Sequence, residues 1–227
     1  RILLNSFFTG GALLGNGAGL LFGKGLPGAV GVLGLLGAGG QEEPVELVFA
    51  GDGTVIERSG RLVLPTTPVA DPDGDGVIVV RGTGITIELV GELRGAPAET
   101  PGDQLTGVGI RVEGQCVTLR GARVHGYRVG IHGVGANELV VEDADVSGNF
   151  RQRLKSTQEK ESDEDWLDPH HNDAREWFTR YGAGIYVERS TGVTVRRSRA
   201  RAGQNGLVLD RCTKAKVYDN DFSFLSG

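Results

Sequence analysis

The chain has 227 residues, of which 38 are glycine, 8 proline and 2 cysteine; 39% are hydrophobic, 23% are charged, and the formal net charge is −5. Glycine stands at about twice its usual share, but no Gly-X-Y period runs through the chain, which excludes collagen. Two cysteines exclude a disulfide scaffold, and the acidic balance argues against a nucleic-acid partner.

The sequence opens at Arg1 and contains no methionine, so a processed or partial chain is expected. Residues 1–40 hold Arg1 and Lys24 and no acid. Lys24 precedes an apolar, glycine-rich run from Gly25 to Leu36, then Ala38, Gly39 and Gly40 ahead of Gln41-Glu42-Glu43-Pro44. A basic flank, a short apolar core and small residues before a polar start are the layout of a secretory signal. The run is too short and too broken by glycine for a membrane span. Residues 1–40 therefore read as a signal-like leader, and a secreted, periplasmic or cell-surface location is expected.

Residues 41–74 read as an N-terminal β segment or cap. At its end Asp71, Asp73, Asp75 and Gly76 match the opening of a calcium loop, but position twelve is Gly82 where a bidentate Glu is needed. An acidic turn leading into Val77-Ile78-Val79-Val80 is the simpler reading. No cofactor is expected; Ca2+ is the alternative at that turn.

From residue 75 to 227 the glycines fall in register. Gly109-Ile110-Arg111-Val112, Gly130-Ile131-His132-Gly133, Gly184-Ile185-Tyr186-Val187 and Gly206-Leu207-Val208-Leu209 align at intervals of 21, 54 and 22 residues. The middle interval is one repeat plus an insertion. A second apolar pair follows each motif (Val117/Leu119, Leu139/Val141, Val193/Val195, Ala215/Val217), then a third position at Val124, Val146, Ala200 and Phe222. Ile78, Ile85 and Ile87 form a degenerate earlier copy. Alternation with period two predicts short strands, and three of them per repeat of about 22 residues match one coil of a β-solenoid. Glycine is expected at the corners, where left-handed backbone suits it. This pattern resembles the right-handed parallel β-helix repeat proteins of the pectin-lyase-like superfamily, which implies an all-β, right-handed parallel β-helix. Cys116 and Cys212 would lie about three coils apart, roughly 14 Å at the strand spacing, too far for a disulfide. The chain stops at Ser226-Gly227 in mid-coil, so a C-terminal continuation is expected.

In such a solenoid, equivalent outward residues of successive coils are neighbours. One column reads Arg111, His132, Tyr186, Val208, and a second reads Arg120, Glu142, Arg196, Tyr218. The second is a surface charge ladder. The first is chemically suggestive: an arginine to neutralise a carboxylate, with a histidine and a tyrosine to move a proton. From 181 to 227 eight basic residues face four acids, a local excess suited to a polyanion.

Between Phe150 and Tyr181 the repeat stops. Residues 151–180 hold six basic and eight acidic side chains, and both tryptophans of the chain, Trp166 and Trp177, with His170 and His171. Long loops on rigid scaffolds carry function, and tryptophans beside carboxylates suit sugar rings. Trp166, Trp177, Arg128 and Tyr181 are the candidate substrate-binding residues; the competing reading is a charged flap pinned by its aromatics. A metal site on His170, His171 and Asp173 is disfavoured, because adjacent histidines rarely point at one ion. Asp168-Pro169-His170 resembles the Asp-Pro-His element of the alginate C5-epimerases, although the place three residues before the Asp, tyrosine in that family, is Asp165. The resemblance implies that His170 and a tyrosine handle the C5 proton while Asp168 assists. The catalytic candidates are thus His170, Asp168, His132, Tyr186 and Arg111. Two function classes fit these residues. One binds, and in its fuller form modifies, acidic polysaccharide by lyase or epimerase chemistry, with glycoside hydrolysis as a further enzymatic alternative. The other is a non-catalytic surface or adhesion solenoid that uses the insertion as a binding flap.

Overall fold

The computed structural model describes residues 2–3, 44–165 and 172–225. In chain order the strands are β1 (Ile2–Leu3), β2 (Glu46–Leu47), β3 (Thr54–Ile56), β4 (Gly60–Val63), β5 (Ile78–Val80), β6 (Thr86–Val90), β7 (Leu93–Arg94) and β8 (Val108–Val112). They continue with β9 (Thr118–Arg120), β10 (Val124–His125), β11 (Val129–Val134), β12 (Val140–Glu142), β13 (Ala183–Glu188), β14 (Thr194–Arg196), β15 (Leu207–Asp210) and β16 (Lys216–Tyr218). Two long sheets run along the coils: sheet A in the order β1-β15-β13-β11-β8-β5-β3, and sheet B in the order β16-β14-β12-β9-β6-β4-β2. Every pairing is parallel except that of β1, which runs antiparallel to β15. The third side of each coil is thinner: β10 beside β7, then single bridges Arg123–Asp145–Arg199–Asp221. This is a parallel β-helix, and β2 to β4 already belong to its sheets, so among the described residues the coils begin at Glu46, within the segment expected to be a cap.

The repeat read from the sequence is the stacking register itself. Ile78, Ile110, Ile131, Ile185 and Leu207 are Cα partners along sheet A, and Ile87, Leu119, Val141, Val195 and Val217 along sheet B. With Val124, Val146, Ala200 and Phe222 of the third side they fill one continuous interior. Each fully buried Ile or Leu adds about 1.5–3 kcal/mol, so this file outweighs the surface ion pairs, at about 0–1 kcal/mol each. The step from Ile131 to Ile185 crosses the insertion without shifting the register.

The glycines serve two purposes: thirteen of them among the described residues take the left-handed backbone expected of turns and corners, and the motif glycines do not. Left-handed corners recur at Cys116, Glu138, Gly192 and Lys214, at Gly121, Asp143, Arg197 and Asp219, and at Gly126, Gly148, Ala202 and Phe224. Only four of these twelve are glycine. The cost of a left-handed residue, about 1–2 kcal/mol, is offset by bonds to the next coil, as in Cys116 N–H to Asn137 O at 2.8 Å and Glu138 N–H to Thr191 O at 2.8 Å. The motif glycines are instead steric. A Cβ on Gly109 would stand 2.8 Å from Gly130 O, one on Gly130 2.6 Å from Gly184 O, and one on Gly184 3.0 Å from Gly206 O. Each coil's glycine admits the backbone of the next.

Candidate functional site

Sheet A turns Arg111, His132, Tyr186 and Val208 to one face as direct register partners, as the alignment predicts. The expectation that this column is open surface does not hold. His132 is 1% exposed and Tyr186 0%, because the insertion folds back over them. Its last turn is a π-helical segment, Trp177–Tyr181, ended by Gly182 at φ 61°, whose N–H donates to Trp177 O. Trp177, Phe178 and Tyr181 pack on Val108, Val129, Ala183, Tyr186 and Val208, a second apolar cluster outside the coil interior. Phe178 stacks 4.5 Å from the His132 ring and meets Tyr186 edge-on at 5.3 Å. Asn172 braces the turn, its Oδ1 accepting from Trp177 N–H at 3.1 Å.

Under this cover lies a row of polar groups. His132 Nε2 stands 3.0 Å from Glu188 Oε1. Burial alone would raise Glu188, but the hydrogen bond from His132 and the charges of Arg175 and Arg189 hold it below the usual carboxylate range. Glu188 is therefore an acceptor, which puts the imidazole proton on Nε2 and leaves Nδ1 with a bare lone pair. Burial pushes His132 below its ordinary value, so the ring is neutral near pH 7. Burial, seconded by the nearby Asp210 carboxylate, pushes the Tyr186 hydroxyl up to about 12. The Asn172 side chain, close to that hydroxyl, works against the rise, but the geometry directs its Nδ2 to Asp210 Oδ2, 3.4 Å away, and not to the phenol. His132 Nδ1, the Tyr186 hydroxyl and Asp210 Oδ1 are all buried and make no hydrogen bond among the described residues, although Arg211 Nε stands 3.7 Å from Asp210 Oδ1. Glu188 and Asp210 are themselves register partners, so these groups occupy three successive strands, β11, β13 and β15. A neutral imidazole beside a protonated phenol is a base next to an acid, with environments that push the two apart.

Arg111 flanks the covered groups but is engaged: its Nε donates to Glu113 Oε1 at 2.8 Å, and Glu113 also holds Arg81. Arg128 lies at the stem of the insertion, its guanidinium 5.1 Å over the Phe150 ring. Burial lowers Arg128 somewhat, and among the described residues it has no carboxylate partner. Trp177 and Tyr181, expected to present faces to a sugar, are buried as the anchors of the flap. Trp166, Asp168, His170 and His171 lie outside the described residues, as does the signal-like leader apart from Ile2 and Leu3. Glu188 and Asp210 were within reach of the sequence: they stand one outward step beyond Tyr186 and Val208 in the same repeat. Asn172, Arg175 and Phe178 belong to the insertion, which has no period to place them.

At the acidic turn the carboxylates that approach one another are those of Asp52, Asp71 and Asp73, so Asp52 stands in the place foreseen for Asp75. Asp71 is buried, and its two oxygens accept from Gly74 N–H at 3.1 Å and Val108 N–H at 2.6 Å, so its geometry is that of a turn tied to β8. The second column is a charge ladder as expected, but its centre is not surface: Glu142 is buried, and it accepts from Arg120 Nε at 2.7 Å and Arg196 Nε at 2.8 Å, while Arg196 reaches the Tyr218 hydroxyl at 3.2 Å. Cys116 and Cys212 are free thiols. No helix among the described residues is long and apolar enough to cross a membrane.

Parallel sheets stacked in register, closed by three corners per coil, define a solenoid of the β-helix class. Residues 55–224 match the family described as the right-handed β-helix region, and the chain belongs to it. Comparison with curated proteins and with solved structures gives no match.

Proposed function

We propose that this protein is exported, binds acidic polysaccharide and acts at C5 of a uronate residue, by elimination or epimerisation. The observation that carries the reading is the row of buried polar atoms that make no hydrogen bond among the described residues, His132 Nδ1, the Tyr186 hydroxyl and Asp210 Oδ1, the last with only the Arg211 guanidinium 3.7 Å away. Buried polar groups are nearly always paired, and leaving one unpaired costs about 1–3 kcal/mol. Three together under one flap mark a place shaped for a polar ligand. In the proposed step His132 Nδ1 takes the C5 proton. In elimination the C5–H electrons form the C4–C5 double bond, the C4–O bond breaks, and Tyr186 protonates the departing oxygen. In epimerisation Tyr186 returns a proton to the opposite face of C5. Arg111 and Arg128 supply positive charge near the uronate carboxylate, and Asp210 accepts a sugar hydroxyl. Entry requires the turn carrying Phe178 to lift from His132.

The sealing of Trp177, Phe178 and Tyr181 onto sheet A favours the second reading, a non-catalytic binding solenoid. One experiment separates them. The protein is incubated with alginate and with pectate in D2O, and unsaturated product and deuterium at C5 are followed by ultraviolet absorbance and NMR. Turnover that Tyr186→Phe abolishes supports the enzyme. Binding of either polymer without turnover leaves the binding solenoid. Export is tested by the N-terminus of the mature protein, where retention of residues upstream of 25 contradicts a cleaved leader.

A further inference from the structure

Resting on the reading of the covered column as a uronate site, we infer that Arg175 reads the ligand's carboxylate and does so by exchanging Glu188 for it. Among the described residues, the ion pair joining the flap to sheet A is Arg175 Nη2 to Glu188 Oε1 at 2.7 Å. Its two ends differ in setting. The Arg175 side chain is 47% exposed and the Glu188 side chain 5%, so the guanidinium is met from solvent before anything beneath it.

The exchange leaves no charge stranded. Glu188 keeps His132 on Oε1 at 3.0 Å and Arg189 on Oε2 at 3.3 Å when Arg175 departs. Arg175 exchanges one carboxylate for another on the same planar fork, the geometry for which guanidinium is suited. A neutral sugar offers no such replacement, so it must break the ion pair at a net loss. The coupling to the base is direct: the Arg175 guanidinium lies 4.8 Å over the Phe178 ring, and Phe178 covers His132 at 4.5 Å. A guanidinium that turns toward a ligand carries Phe178 with it and uncovers the imidazole. Arg175 is thus the residue that makes opening conditional on an acidic ligand. Neither its identity nor its role follows from the repeat, since it lies in the insertion.

Two measurements test this. The first needs no ligand: hydrogen exchange of the segment 172–182 in the full chain, wild type against Arg175→Gln and Arg175→Lys. The Gln variant is expected to exchange at least about tenfold faster there, the loss of one charge-assisted bond, while the coils 108–134 stay as protected as in wild type. The Lys variant lies between the two. Exchange in the Gln variant equal to wild type overturns the latch.

The second is calorimetric binding of galacturonate and mannuronate trimers and of their methyl esters, which differ only in charge. Wild type is expected to prefer an acid form over its ester by about tenfold or more, and Arg175→Gln to within about threefold, by the same constant. An unchanged preference in the Gln variant overturns the role of Arg175 alone. Failure of both trimers to bind wild type overturns the polysaccharide reading and this ligand class with it.

Discussion

Replacing Tyr186 by Phe is expected to make the protein more stable. The ring keeps its edge-on contact with Phe178 at 5.3 Å and with His132 at 5.8 Å, so packing is unchanged. What goes is a hydroxyl that is fully buried and makes no hydrogen bond among the described residues. An unsatisfied buried polar group costs about 1–3 kcal/mol, and part of that is recovered when the group is removed. At about 2–4 °C per kcal/mol for a chain of this size, the expected rise in Tm is roughly 2–6 °C. The assay is thermal unfolding at pH 7, with urea denaturation to check that the m-value is unchanged. A tyrosine kept for structure behaves in the opposite way, because its hydroxyl would be bonded and its loss would destabilise. A Tyr186→Phe variant less stable than wild type by about 1 kcal/mol or more would refute the premise that the covered column holds unsatisfied groups.

Other expectations follow from the same geometry. Gly130→Ala forces a Cβ to 2.6 Å from Gly184 O and 2.7 Å from Asn149 Nδ2. Overpacking at this level costs about 1–3 kcal/mol, while Lys214→Gly, at a left-handed corner, stays within about 1 kcal/mol of wild type; urea denaturation of the two variants checks both. Asn149→Ala is expected to cost about 3 kcal/mol or more, since its side chain bonds Tyr127 N–H, Val124 O and Val146 O and each is left unpaired; a loss below about 1 kcal/mol would contradict the assignment. His132 is held below its ordinary value by burial, so the unfolded chain binds a proton that the native ring refuses. Its contribution is therefore complete above the unfolded value of about 6.5 and is lost as pH falls toward the lowered native value. Stability should decline from pH 7 toward 5, and His132→Gln should flatten that part of the curve; an unaltered slope would show that the ring charges in place.

The coils were legible because a solenoid writes its contacts into the sequence as a period. Ile110, Ile131 and Ile185 are aligned residues and also touching residues, so finding the repeat was finding the register. The left-handed turn glycines are as expected, but the physical reason for the motif glycines is not legible in the sequence. The sequence pattern does not distinguish a residue that needs a left-handed backbone from one that needs room, and the motif glycines proved to need room. The candidate column was read in the right order but with the wrong exposure. Whether His132 meets water depends on Phe178 and Trp177, and no rule of periodicity relates residue 178 to residue 132. For the same reason Arg175 and Asn172, which tie the flap to Glu188 and Asp210, had no signal, whereas those two acids needed only one more outward step along an alignment already made.

The role proposed for His132, Tyr186 and Asp210 is to break a C5–H bond of an acidic polysaccharide. Its most direct test is the recovery of uronate residues after incubation with the wild-type protein in D2O. Deuterium at C5, or the unsaturated product that replaces it, is expected on alginate or pectate, with the loss of both in His132→Gln and Tyr186→Phe. Wild-type protein that binds either polymer and leaves every C5–H bond intact would contradict it.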